Sequence, residues 1–316
     1  MKKRVLMFLS LFLVLLLLTG CPESERGSGG GGGVDPDETL NLAERARSGS
    51  GGVELNFVDD YPPSRLYDLQ DLLVVAELKN EGAYDITSDK CFVELGGFAP
   101  SIIRGITTRQ SCGDIPGKSV YNADGGWNQL EFKSSNLFLP SGVDQYEPTF
   151  ILTACYQYQT IASPQICVDP GFYRLSSDQK ACETKDISLS GGQGAPVAVT
   201  SVDVDMVGSK VILEIDVSNN GGGRVVSPLA SLSRCPTGLR YDDYDQVRFN
   251  VDLVGGRLIK CTPQDYMVRM TNNDGKIFCT FDVDNTQAYE TPLKIELSYN
   301  YMESVSKQTE IVKTPE

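Results

Sequence analysis

From Val53 onward, hydrophobic and polar positions alternate in short runs bounded by Gly, Pro, Asn and Asp, and no stretch carries a convincing helical period. A period of two buries one face of a strand, so the pattern predicts an all-β chain of antiparallel sheets. Two apolar runs, 72–78 and 211–217, each close on Asn-x-Gly: Asn80-Glu81-Gly82 and Asn219-Asn220-Gly221, 139 residues apart. Asn and Gly at a strand end predict a left-handed exit. A second match lies 143 residues apart, between 152–158 and 295–301, each ending in Tyr-x-Tyr. Another strand is expected after each, at 165–169 and 307–312. Alternation puts Tyr156 and Tyr299 on a core-facing side with the preceding aliphatic residues. It turns Thr153 and Gln157, or Glu296 and Asn300, toward solvent or the other module. The four-residue difference between the two spacings implies one small insertion. The economical reading is a duplicated head: β-sandwich domains at 53–190 and 196–316, joined by a Gly-rich linker at 191–195.

The first fifty residues follow a different rule. Lys2, Lys3 and Arg4 precede an apolar run at 5–19, shorter than the ~20 residues a helix needs to cross a bilayer. This predicts a signal peptide at 1–20, with an uncleaved anchor helix as the alternative. The run ends in Leu18-Thr19-Gly20-Cys21, which resembles the lipobox of prokaryotic lipoproteins. That resemblance implies cleavage before Cys21 and a diacylglyceryl group on its thiol, and two acyl chains are enough for stable anchoring. Residues 21–52 then form a tether. It is rich in Gly and Ser, Gly throughout 29–33, and too polar to bury a core. As a coil it would reach roughly 30 Å. Asp35-Pro36-Asp37-Glu38 reads as the start of a short helix running to Ala46. The expected location is the extracellular face of the cell membrane, with the membrane lipid engaged through Cys21.

Charge and composition narrow the chemistry. Asp and Glu number 42 against 28 Lys and Arg, a net charge of −14, which repels phosphate backbones and argues against nucleic acid. The chain has no His, so Ser-His-Asp and Cys-His catalysis and His-liganded zinc are excluded. Of nine Cys, eight remain after Cys21, an even number on an exported chain, which reads as disulfides. Proximity suggests Cys91–Cys112, Cys167–Cys182 and Cys261–Cys279. Cys155 and Cys235 are left either to bridge the two halves or to stay as buried thiols. Gly117-Lys118-Ser119 resembles the end of a P-loop, but Cys112 stands where its first Gly belongs. The acidic clusters at Asp59-Asp60 and around Asp282 fit no EF-hand loop and read as solvated loops.

The duplicated strand-Asn-x-Gly layout resembles the immunoglobulin-like repeats of prokaryotic surface proteins, including the cell-adhesion-related type. It lacks the Cys–Trp spacing of antibody domains, so the likeness concerns sandwich architecture. It implies two tandem antiparallel immunoglobulin-like sandwiches. The expected function is a non-enzymatic adhesion, scaffolding or partner-binding module, with a ligand-capturing subunit of a transporter or surface enzyme complex as the alternative. No catalytic residue, cofactor or metal ligand set is expected. A protein or surface-polymer partner is. The binding candidates are Trp127, whose other reading is a core anchor for its hairpin, and the aromatic-acidic loop Tyr241, Asp242, Asp243 and Tyr244.

Overall fold

The computed structural model describes residues 47–135, 137–172 and 180–315. The signal segment, Cys21, the short helix expected before residue 47 and most of the tether lie outside the described residues. The first half contributes β1 (Val53–Phe57), β2 (Arg65–Tyr67), β3 (Leu72–Asn80), β4 (Cys91–Gly96), β5 (Arg109–Ser111), β6 (Trp127–Ser134), β7 (Gln145–Tyr146), β8 (Thr149–Ala162), β9 (Gln165–Val168) and β10 (Ile187–Ser188). The second contributes β11 (Val197–Val207), β12 (Lys210–Asn219), β13 (Arg224–Val226), β14 (Gln246–Leu253), β15 (Gly256–Thr262), β16 (Met267–Arg269), β17 (Asp274–Val283), β18 (Tyr289–Gln308) and β19 (Glu310–Val312). The described residues are all-β, apart from single 3₁₀ turns at Leu232–Arg234 and Tyr241–Asp243.

Each half builds a smaller sheet, β1-β3-β6 in the first and β11-β12-β17-β15 in the second, and β10 from the end of the first half adds to the β11 edge of the latter. The larger sheet is common to both and runs β16-β14-β18-β8-β4-β5. Its centre is an antiparallel ladder from Thr149↔Gln308 to Ala162↔Ile295, which engages all 14 residues of β8. Tyr156 lies opposite Tyr301 and Tyr158 opposite Tyr299, with the Gln157↔Asn300 pair between them. An approximate two-fold axis therefore passes through that pair, as at an isologous dimer interface, but within one chain. The strand that follows each long strand crosses to the opposite half. β9 pairs with the start of β18, and β19 pairs in parallel with β2 and antiparallel with β7.

The sequence alternation explains which faces close. Leu72, Val74, Ala76 and Leu78 of β3 point inward, as do Val211, Leu213, Ile215 and Val217 of β12. Leu152, Ala154, Tyr156 and Tyr158 of β8 and Ile295, Leu297, Tyr299 and Tyr301 of β18 meet them in one continuous core. The four tyrosines form a block at the axis, with ring centroids 5.7 to 6.3 Å apart between neighbours. Each hydroxyl has a partner, as buried phenols require. Tyr156 accepts from the Val53 N–H at 3.0 Å, and Tyr299 accepts from the Val197 N–H at 3.2 Å. Tyr158 donates to Asn80 Oδ1 at 3.1 Å, and Tyr301 donates to Asn219 Oδ1 at 2.9 Å. The two asparagines also donate alike, Asn80 to the Tyr84 carbonyl and Asn219 to the Gly223 carbonyl. The internal repeat thus extends to individual hydrogen bonds.

Three expectations are corrected. The Asn-x-Gly signature does not mark a left-handed exit, since neither its asparagines nor Gly82 and Gly221 have positive φ. The glycines are there for space: a Cβ at Gly82 would collide with the Tyr158 hydroxyl, and one at Gly221 with the Tyr301 hydroxyl. Second, Asn300 faces neither solvent nor the other half: it is buried and donates to the carbonyls of Ser227 and Ala230 of its own half, both at 2.9 Å. The chain from Ser227 to Asp245 crosses the outer face of the common sheet there. Thr153 is buried too, and its hydroxyl pairs with Ser304 of β18, in the other half, at 2.9 Å. Third, the drift in repeat spacing is not one small insertion. The second half needs this long loop to pass from Asn219 to β14, where the first half passes from Asn80 to Cys91 directly, and shorter connections downstream recover most of the difference.

Four disulfides join Cys91 to Cys112, Cys167 to Cys182, Cys261 to Cys279, and Cys155 to Cys235. The last ties the crossing loop of the second half to β8 of the first, with Cα atoms 6.2 Å apart. Arg109 of β5 reinforces it by donating to the carbonyls of Cys235 at 2.5 Å and Leu232 at 2.6 Å. The end of the tether is part of the head. Gly49 donates to the Gly191 carbonyl at 2.5 Å and accepts from the Gly194 N–H at 2.9 Å, so 47–52 dock on the segment that leads from β10 to β11.

Candidate functional site

The second half carries an open cleft of about 510 Å³ where the two sheets approach each other. A tight turn builds it. Thr271 and Asp274 exchange backbone hydrogen bonds of 2.7 and 3.1 Å around Asn272 and Asn273, whose φ angles are 53° and 71°. Such turns need two left-handed residues, and Asn tolerates that conformation better than most. The turn carries the chain from β16, in the common sheet, to β17, in the second half's own sheet. Arg269 therefore enters the cleft from one layer, and Lys276, Asp216 and Thr200 enter it from the other.

The two cations differ in character. Lys276 is neutralised by Glu214 at 2.5 Å and Asp216 at 2.9 Å, and these bonds, Glu214 first, raise its pKa above the ordinary lysine value. The other oxygen of Asp216 accepts from Ser201 at 2.9 Å. Arg269 has no carboxylate within 4 Å among the described residues, and its guanidinium instead lies 5.3 Å from the ring centre of Tyr241. Tyr241 is held there by its loop. Met270 donates to the Asp245 carbonyl at 2.8 Å, and Ser227 donates to the Asp243 carbonyl at 2.7 Å.

The sequence-predicted binding residues divide at this point. Tyr241 is 79% exposed and Asp242 is at the surface, so both stand free on the rim side. Asp243 is buried: its carboxylate accepts from the Arg240 N–H at 2.8 Å and pairs with Arg234 at 3.4 Å, which makes it a loop anchor and not a contact residue. That backbone hydrogen bond, then the nearby arginines, hold its carboxyl below the usual range. Tyr244 lies under the Arg224 guanidinium at 3.9 Å. Trp127 is 65% exposed at the start of β6, so its reading as a core anchor is overturned: the buried positions of that strand, Leu130, Phe132 and Ser134, lie further along it. Lys118 ends on Glu81, and Gly117 donates to Asp85, which leaves no phosphate cradle at that site. Among the described residues no group of three His, Cys, Asp or Glu could hold a metal ion. Nor is any helix among them long and apolar enough to cross a membrane.

Arg269, Thr271, Asp274 and Lys276 were not singled out by sequence. They belong to no motif, and the cleft also needs Thr200 and Asp216 from distant strands. The one readable signal was Asn272-Asn273 between alternating runs, a hairpin-turn dipeptide.

No protein family and no curated protein matches the chain. Among solved structures, the chain resembles the secreted serine protease VesC from Vibrio cholerae at 11% identity and a TM-score of 0.20. The match covers 81% of this chain and 51% of that one, so the chain spans about half the length of the structure it matches. A likeness of that size carries no argument about fold or activity.

Proposed function

We propose that the chain is a lipid-anchored protein of the extracellular face of the cell membrane, whose head is a non-enzymatic module for adhesion, scaffolding or partner binding. The lipobox at Leu18 to Cys21 supplies the anchor, and the Gly/Ser tether supplies the reach. The head is read as a pair of immunoglobulin-like sandwiches. In support, β1-β3-β6 facing β5-β4-β8 is repeated as β11-β12-β17 facing β16-β14-β18.

The observation that carries the reading is the interlocking of the halves. A common ladder, exchanged strands and the Cys155–Cys235 bridge hold the outer loops in fixed geometry. Preorganised loops bind without the cost of ordering. Of the hollows lined by both halves, one beside Gly52, Gly221 and Tyr301 is about 220 Å³, and one between Ser64, Glu147, Gln308, Thr309 and Glu310 is about 320 Å³, the latter lined by polar residues and open to solvent. Both lie at or below the low end of the ~300–1,000 Å³ of ordinary small-molecule sites.

The anchor is tested by feeding cells a clickable fatty acid and fractionating them. The wild-type chain should take up label and stay with the membrane, and Cys21→Ser should take up none and be released or left unprocessed. A Cys21→Ser chain that is cut normally yet remains membrane-bound overturns the anchor. Adhesion is read separately, as binding of the purified protein to intact cells.

A further inference from the structure

We infer that the cleft at Arg269 and the Asn272-Asn273 turn, with Tyr241 beside Arg269 outside its lining, is a binding site for a carboxylated sugar, of the uronic acid class. The inference rests on the surface-binding reading above and names its ligand. Four observations lead to it.

First, Arg269 is a guanidinium without a carboxylate partner in a head of strongly acidic composition. A planar guanidinium takes a carboxylate through two parallel hydrogen bonds. The rest of the cleft's positive charge is already committed, because Lys276 is held between Glu214 and Asp216. One localised anion is therefore accommodated, whereas a dense polyanion is opposed by the surrounding acids. Second, Tyr241 lies beside that guanidinium and is 79% exposed. The guanidinium lies over one face of that ring, so the other face is the one left to stack a sugar residue, while the carboxylate of a neighbouring residue in the same oligosaccharide reaches Arg269.

Third, the remaining walls are built for hydroxyl groups. Thr271 and Asp274 stand at the turn with side chains available at the surface, and Thr200, whose hydroxyl donates to the Asp216 carbonyl at 3.4 Å, keeps its oxygen as an acceptor on the opposite wall. Val217 is the one apolar side chain among the cleft's lining residues. A peptide ligand needs apolar pockets for alternate side chains, and this cleft supplies none. Fourth, about 510 Å³ is within the range of small-ligand sites, and the backbone hydrogen bonds between Thr271 and Asp274 hold the turn that joins the Arg269 wall to the Lys276 wall.

The experiment uses the intact protein and three probes by titration calorimetry: a glucuronate-containing tetrasaccharide, the same tetrasaccharide with its carboxyls reduced to alcohols, and an acidic hexapeptide. The glucuronate sugar should bind, and the reduced sugar should bind at least about tenfold more weakly, as expected for loss of a charge-assisted hydrogen-bonded pair. Arg269→Ala should lose affinity for the glucuronate sugar by a similar factor while leaving the weak binding of the reduced sugar unchanged. Tyr241→Ala should weaken both sugars. Both side chains are exposed, so melting temperatures should match wild type and confirm folded variants. The inference is overturned if the glucuronate sugar does not bind, if its reduced form binds equally, if Arg269→Ala leaves its affinity unchanged, or if the hexapeptide is preferred. In those outcomes, undiminished binding of Arg269→Ala to intact cells keeps the surface-binding reading while removing this site from it. Loss of all cell binding by the wild-type protein removes the broader reading instead.

Discussion

At the residue scale the four core tyrosines decide most. Burial pushes Tyr156, Tyr158 and Tyr299 well above the phenol value of 10.0 and Tyr301 to about 12. Between the unfolded and folded values the native state holds protons that the unfolded chain has lost, so stability is full below pH 10 and falls as pH rises. Alkaline titration followed at 295 nm should therefore show these phenols ionising together with loss of near-ultraviolet circular dichroism, and not as independent groups near pH 10. Independent ionisation in a still-folded head would contradict the burial. The glycines beneath the hydroxyls give a second expectation. Gly82→Ala and Gly221→Ala each force a methyl against a fixed tyrosine, so each should cost about 1–3 kcal/mol in guanidinium melts. Near-equal costs are the signature of the two-fold repeat, and a neutral Gly82→Ala would mean that the close approach is not real.

At the element scale, what was legible in the sequence was which face of a strand is buried. The inward tyrosines, the strand ends at Asn80 and Asn219, and the neighbouring cysteine pairs all follow from period and proximity. What alternation cannot encode is which edge a strand pairs with. β8 and β18 read alike, and nothing in either sequence says that they pair with each other rather than closing two separate sandwiches. For the same reason Asn300 read as outward and proved covered, because the cover comes from a loop at Ser227 and Ala230, distant along the chain. The cleft was illegible for a related reason: its groups come from β11, β12, β16 and β17, and none has a fixed spacing to another. The bridges allow a graded test. In the loop-entropy account, the Cys155–Cys235 closure of 80 residues should be worth roughly 4–5 kcal/mol and the Cys167–Cys182 closure of 15 roughly 3. Unfolding of Cys155→Ala/Cys235→Ala should accordingly occur at lower denaturant than Cys167→Ala/Cys182→Ala. The reverse order would show that the crossing loop is held by its hydrogen bonds and not by the bridge.

At the scale of the whole molecule, the described residues behave as one compact unit, because each half completes the other. β9 and β19 are exchanged, the common ladder supplies each long strand with its neighbour, and the tyrosine block fills the space at the axis. The duplication read from sequence is thus closer to a dimer joined into one chain than to beads on a string. This arrangement leaves two unlike surfaces, since the crossing loop and its Tyr241 site occur in the second half alone. Near-symmetry in the core, with asymmetry at the surface, lets stability and recognition vary independently.

The point at which the chain enters the head has a mechanical consequence. Residues 47–52 come in beside the axis, against the Gly191–Gly194 segment, and run straight into β1, which is paired with β3 alone. Tension applied at the N-terminal end of the described residues would therefore load β1, an edge strand, first. The first cysteine among the described residues is Cys91, so the stretch before it is the part free to pay out. Once Cys91 is reached, load passes across Cys91–Cys112 and then across Cys155–Cys235, which takes the 80-residue stretch between them out of the extensible contour. A chain so wired would yield over the stretches before Cys91 and between Cys112 and Cys155 and then stiffen, with the Tyr241–Arg269 cleft lying beyond the second cross-link.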